Sequence, residues 1–269
     1  MGISALRRRL PAFAAGLASL VMASGLAAIP AEAASPKVDY VALGDSYAAG
    51  QGALPYTDRS CYVSRVGYPA IADKQLRGFK LTNATCSGQI VDNAIADAQT
   101  SVTPDTDLVT VTVGGNDVNT MAVLGACMPD PTSLACAKGL TDAEQKLTDG
   151  SLATSLTALV TTIHEKAPAA KVVMTGYPRL FAPEEPFAPV ANGLADILNG
   201  VIAGVAADRG AQYVDVTHAF NDHGIGSTDP WITFDPANPT DPANFHPNAD
   251  GYRLGYYDSL RSQDAFNLN

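Results

Sequence analysis

The chain has 269 residues, 46% of them hydrophobic and 16% charged, with a formal net charge of −10 at pH 7. That length supports one sizeable core and requires no second domain. The acidic balance argues against nucleic acid or anionic headgroups as electrostatic partners, and leaves a neutral lipid or ester open.

Residues 1–33 read as a cleaved export signal. Arg7, Arg8 and Arg9 precede an apolar stretch of Ala, Leu and Val that ends in a small-x-small site at Ala31 and Ala33. A permanent membrane anchor is the competing reading, but Ser and Gly interrupt the segment and Pro30 ends it. The expectation is a secreted, monomeric protein without a stable membrane anchor, folded as a single domain over residues 34–269. Export makes disulfides the natural state of Cys61, Cys86, Cys127 and Cys136. Of the three possible pairings, sequence proximity favours Cys61 with Cys86 and Cys127 with Cys136. Zinc is the rival use, but no C-x-x-C occurs.

Strand-like and helix-like segments then alternate. "VDYVAL" (38–43), "KLTNATC" (80–86), "LVTVTV" (108–113), "KVVMTG" (171–176) and "AQYVDV" (211–216) predict strands, most of them too hydrophobic on both faces for a half-exposed sheet. Helices are expected from Tyr68, over a long run from about Thr141 to Lys166, from Val190, and after Pro247. This order predicts an α/β/α sandwich around a parallel sheet, with ligands bound beyond the carboxyl ends of the strands. The irregular stretches 178–189 and 221–244 are candidates to wall such a site.

Four short motifs fall on that rim. Ser46 in "GDSY" follows the first strand; a serine there is either a helix cap or a nucleophile, and Ala48 rules out the G-x-S-x-G elbow. Asp45 beside it is read as structural, hydrogen-bonding within the turn. "GGND" places Asn116 after two glycines, where its amide can face a developing oxyanion, or simply make a tight turn. Gly88 in "CSG" offers a backbone N–H as a second donor. His246, before Pro247, sits at a loop-to-helix junction.

Taken together, "GDSY", "CSG", "GGND", "GYPRLF" and "FHP" resemble the SGNH, or GDSL-type, serine ester hydrolases, in particular the secreted lipases and esterases of actinomycetes. The resemblance spans essentially the whole mature chain. It implies a flavodoxin-like, five-stranded sandwich with no metal or organic cofactor, Ser46 as nucleophile, His246 as base, and an oxyanion hole from the Ser46 and Gly88 N–H groups and the Asn116 side chain. One departure stands out: the wider family carries D-x-x-H, and here that acid position is Ala243. The expectation is therefore a Ser46–His246 dyad, its imidazole held by the carbonyl of Ala243 or Asn244 rather than by Asp241.

The substrate expected is a carboxylic ester with a medium or long acyl chain, as for a lipase, esterase or phospholipase. Tyr47, Leu54, Phe181, Phe187, Trp231 and Phe234 are the apolar candidates for its pocket. Three alternatives accompany this reading: a carbohydrate O-acetyl esterase, a non-catalytic binding module on the same fold, and a metalloenzyme built on Asp215, His218, Asp222 and His223.

Overall fold

The computed structural model describes residues 1–2 and 37–268. All but the first two residues of the expected export signal therefore lie outside the described residues.

Strand β1 (Val38–Gly44) leads into a one-turn helix α1 (Ser46–Ala49) and a small hairpin of β2 (Tyr56–Asp58) and β3 (Val63–Ser64). Then come α2 (Tyr68–Gln75), β4 (Phe79–Thr85), α3 (Val91–Ser101), β5 (Leu108–Thr112), α4 (Thr120–Cys127), α5 (Leu134–Thr148) and α6 (Ser151–Lys166). The chain closes with β6 (Lys171–Thr175), α7 (Ala188–Arg209), β7 (Gln212–Val214), a π-helical turn (Gly251–Tyr257) and α8 (Asp258–Ser262). Five strands form one sheet in the order β4-β1-β5-β6-β7, every pair parallel.

Because side chains alternate along a strand, each strand feeds two separate cores. Tyr40, Ala42, Leu108, Val173 and Val214 pack on one face with Tyr68, Tyr252 and Tyr256 from the helices there. Val41, Leu43, Val109, Val111, Val172 and Met174 pack on the other with Ala94 and Ala98 of α3 and Leu156, Leu159 and Ile163 of α6. This is the three-layer α/β/α sandwich that the segment order predicts, and it explains why the strands read as apolar on both sides.

Two local expectations need correction. The single run expected over 141–166 is two helices, because Gly150 turns left-handed at φ 83° and stands as the N-cap of α6, while Ser133 starts α5 by accepting a hydrogen bond from the Cys136 N–H at 3.1 Å. The last strand is short, Gln212–Val214 rather than 211–216. Disulfides join Cys61 to Cys86 and Cys127 to Cys136. The first ties the hairpin to the loop after β4, and the second ties α4 to α5.

Candidate active site

Sheet register gathers three of the motifs. In β1 and its two neighbours, Gly44 stands level with Thr85 on one side and Thr112 on the other. Ser46, Gly88 and Asn116 follow these residues by two, three and four positions, so all leave the sheet at the same rim. The junction is tight: the Asp45 N–H donates to Thr112 O at 2.9 Å, and the Cys86 N–H to Gly44 O at 3.0 Å. A Cβ on Gly44 would lie 2.0 Å from Thr112 O, and its φ of +127° is closed to other residues, so glycine is required just ahead of the serine.

The cap of α1 is Asp45, not Ser46. Its Oδ1 accepts from the Tyr47 N–H at 2.9 Å, leaving the Ser46 hydroxyl free of capping duty. Asp45 Oδ2 accepts from the Tyr177 hydroxyl at 2.5 Å, and that hydroxyl in turn accepts from the Gly115 N–H at 3.1 Å. A single buried tyrosine thus links the serine turn to the turn bearing Asn116. Burial raises the Asp45 carboxyl from 3.8 to about 7, with the Tyr177 and Tyr47 donors opposing the rise.

His246 reaches the rim from the other end of the chain. Its Nε2 lies 2.8 Å from Ser46 Oγ, and its Nδ1 lies 2.8 Å from the carbonyl oxygen of Asn244. A carbonyl only accepts, so Nδ1 carries the proton and Nε2 offers its lone pair to the serine hydroxyl. Burial lowers the imidazole from 6.5 to about 4, although the Asn244 and Pro242 carbonyls favour its charged form, so the ring is neutral at pH 7. Of the two carbonyls expected to hold the ring, Asn244 receives it; that of Ala243 accepts the His246 backbone N–H at 3.2 Å instead. Asp241 turns away, its Oδ1 accepting from the Ala243 N–H at 2.8 Å.

The loop carrying His246 has few sheet contacts of its own. Thr233 pairs with it, its N–H donating to His246 O at 2.9 Å and its O accepting from the Phe245 N–H at 2.7 Å. Phe245 has φ 63°, a left-handed conformation that a phenylalanine adopts only where its surroundings enforce it. Tyr47 supplies part of that enforcement: its hydroxyl donates to Phe245 O at 2.5 Å, and its ring stands 5.2 Å from the imidazole. The residue after the serine is therefore bonded to the residue before the histidine.

Three polar groups at this rim have unused hydrogens. Among the described residues, neither the Ser46 N–H nor the Gly88 N–H has a protein acceptor. The Asn116 amide is steered by one of its hydrogens, which bonds the carbonyl of Gln89, next to Gly88, at 2.9 Å. Its other hydrogen remains available for a ligand.

An apolar cavity opens on this cluster. Ser46, Asn116 and His246 stand at one end, and Val118, Leu124, Leu180, Phe187, Leu194, Leu198 and Phe245 are among its walls. Its empty space, counting solvent at the mouth, is about 810 Å³. Of the six expected pocket residues only Tyr47 and Phe187 line it. Leu54 is exposed, Phe181 and Phe234 pack behind Phe187 and Phe245, and Trp231 stacks on His223. Most of the helical wall comes instead from α4 and α7. The loop 178–189 does wall the site, through Pro178, Leu180 and Phe187.

The four residues of the metal reading are not gathered. Asp215 bonds Thr217, His218 approaches Asn221, and His223 bonds the Asp229 carbonyl. Among the described residues, no three His, Cys, Asp or Glu side chains cluster to hold an ion. Sequence reasoning passed over Tyr177, although "GYPRLF" contains it, because a tyrosine after a strand signals packing.

The chain matches the GDSL-like Lipase/Acylhydrolase family over residues 42–254. It is 34% identical to a lipase of Streptomyces rimosus across 94% of this chain and 99% of that one. The crystal structure of an extracellular lipase from the same species superposes with a TM-score of 0.78 at 32% identity, over 84% of this chain and 99% of that chain. A phospholipase A1 from Streptomyces albidoflavus superposes with 0.77 at 31% identity, over the same shares. An acetylxylan esterase from Geobacillus stearothermophilus, at 18% identity over 87% of this chain and 96% of that one with a TM-score of 0.54, shares the fold.

Proposed function

The chain belongs to the GDSL-like lipase/acylhydrolase family and is a carboxylic ester hydrolase, and we propose that it is exported and cleaves esters of medium or long acyl chains through an acyl-enzyme on Ser46. In the proposed cycle the neutral His246 takes the Ser46 proton at Nε2 as the oxygen attacks the ester carbonyl. The Ser46 and Gly88 N–H groups and the Asn116 amide hold the oxyanion. His246 then returns the proton to the departing alcohol, and water, deprotonated in the same way, releases the acid and restores Ser46. The imidazolium formed between these steps is stabilised by the Asn244 carbonyl at 2.8 Å, without a carboxylate. Serine and histidine thus form a dyad.

One observation carries the chain-length reading: the cavity that Ser46 lines is walled mainly by apolar surface. Transfer of an acyl chain into it is favourable by about 0.8 kcal/mol per methylene, which acetyl would forgo. The two disulfides support export, since they form and persist in an oxidising compartment. A p-nitrophenyl ester series tests the reading, with kcat/KM expected to rise from acetate to medium chains. A maximum at acetate would replace the lipid substrate with a carbohydrate acetyl ester. Treatment with a serine-directed organophosphonate tests the chemistry; one adduct per chain, on Ser46, is expected. Absence of any adduct together with ligand binding alone would indicate a binding module.

A further inference from the structure

Gln51 is a buried primary amide, 5% exposed, and both ends of its side chain are used. Its Oε1 accepts from the Ser87 hydroxyl at 2.5 Å, and its Nε2 donates to the carbonyl of Pro242. The orientation is determined by chemistry: Pro242 O can only accept, so the nitrogen must face it and the oxygen must face Ser87. The backbone of Gln51 is held as firmly. Its N–H donates to Ser46 O at 3.0 Å, and its carbonyl accepts from the Tyr252 hydroxyl at 2.8 Å.

One residue therefore touches the three segments that bear the reacting groups. Ser46 lies at the other end of the same helical turn. Ser87 immediately precedes Gly88, and with its own N–H bonded to Cys61 O at 3.0 Å, its backbone and side chain are both fixed ahead of the Gly88 peptide. Pro242 begins the turn that ends in His246; the Asn244 N–H donates to Asp241 O and the His246 N–H to Ala243 O, which carry the constraint along it. No backbone hydrogen bond between the Ser87 segment and the Pro242 segment occurs among the described residues. Packing alone does not explain the choice of residue. Burying an amide costs free energy that only satisfied hydrogen bonds offset, whereas methionine would fill a similar volume without that cost. Glutamate would set a carboxylate against the Pro242 carbonyl.

We infer that Gln51 is a positioning residue that locks the Gly88 oxyanion donor and the His246 loop into one register around Ser46. The inference rests on the acyl-enzyme reading above. It assigns Gln51 no contact with substrate, so its removal should slow the chemical steps while leaving binding in the apolar cavity alone.

The test compares Gln51→Met, Ser87→Ala and the double variant with wild type on a soluble ester, each normalised to active sites titrated with the phosphonate. Gln51→Met is expected to lower kcat about tenfold or more, with KM within about twofold. Ser87→Ala, which removes one arm, should lower kcat by about threefold, and the double variant should be no slower than Gln51→Met. A kcat per titrated site within twofold of wild type in Gln51→Met, whatever the thermal midpoint does, would overturn the inference. Independent, multiplying losses in the double variant would also overturn it. Should Gln51→Met not fold, Ser87→Ala decides: unchanged kcat per site sinks the positioning role, and a threefold fall at constant KM sustains it. Wild type that takes no phosphonate on Ser46 would instead refute the acyl-enzyme reading itself, and the positioning role with it.

Discussion

The serine side and the histidine side of the site are built by different means. Ser46 and Asn116 follow central strands buried on both faces, and Gly88 follows the edge strand β4, all three held in register by the ladder. His246 sits in a loop held by a short pairing with Thr233 and by side chains from around Ser46, namely Tyr47 to Phe245 and Gln51 to Pro242. Strand register is enforced by dozens of cooperative contacts, whereas a loop held by side chains depends on each of them. Single substitutions in the strand-end set should therefore change chemistry without moving the fold, and those around the histidine should change alignment.

The largest effect is expected from the strand-end set. Asn116→Ala removes one of the proposed oxyanion donors and should lower kcat by about 10² to 10³. Its thermal midpoint should stay near that of wild type, because the Asn116 amide bonds only one carbonyl, that of Gln89. Steady-state kinetics beside a melting curve checks both halves. Activity within threefold of wild type would remove Asn116 from the site, and a collapse in stability would show that the turn depends on it.

What was readable from the sequence divides along the same line. Strands are local and apolar, so "VDYVAL" and "LVTVTV" announced β1 and β5 within a residue or two, and the residues just beyond them announced the rim. His246 is legible through the resemblance to known motifs, and its partner only as one of two main-chain carbonyls, since Ala243 and Asn244 offer identical acceptors and only the turn geometry separates them. Helix α4, "TMAVLGAC", went unseen because it has no polar face to give it a period. Leu54 and Trp231 were mistaken for pocket walls because hydrophobicity does not encode direction. Gln51 lies in no motif, and Tyr177 lies in one that says nothing of its role; their meaning lies in partners 191 and 132 residues away.

A second, smaller effect sets the two sides against each other through pH. Burial raises Asp45 to about 7 and lowers His246 to about 4. Between pH 4 and 7 folded Asp45 keeps a proton that the unfolded chain releases, so its contribution to stability falls as pH rises. Between pH 4 and 6.5 the unfolded chain takes a proton that folded His246 refuses, so that contribution rises with pH. Each has a slope of about 1.4 kcal/mol per pH unit, and from pH 4 to 6.5 they oppose. Asp45→Asn, which mimics the protonated acid, should expose the histidine slope: relative to wild type its stability should climb by about 3 kcal/mol from pH 4 to 6.5. Urea unfolding at three pH values reads this directly. A difference that stays constant over that range would mean that Asp45 titrates as an ordinary carboxylate.

The smallest effect is expected where a serine hydrolase ordinarily shows one of its largest. An acid that orients a catalytic histidine costs about 10⁴ in turnover when replaced by its amide, since the imidazole then loses its correct tautomer. Asp241 is the nearest carboxylate ahead of His246 in sequence, but its Oδ1 accepts the Ala243 N–H and its Oδ2 faces Asn238, while the imidazole Nδ1 bonds Asn244 O. A carbonyl fixes the tautomer as well as a carboxylate does, because it too can only accept. What it omits is a negative charge that would oppose the burial lowering His246 to about 4. Asp241→Asn keeps an acceptor for the Ala243 N–H, so the turn should survive and kcat on a soluble ester should fall by less than about tenfold. The acid limb of kcat/KM should stay near pH 4 in both proteins, far below the usual imidazole value of about 6.5. A loss approaching 10⁴ would place Asp241 on the imidazole during turnover, and the histidine loop would then have to rearrange from the geometry in which Asn244 holds the ring.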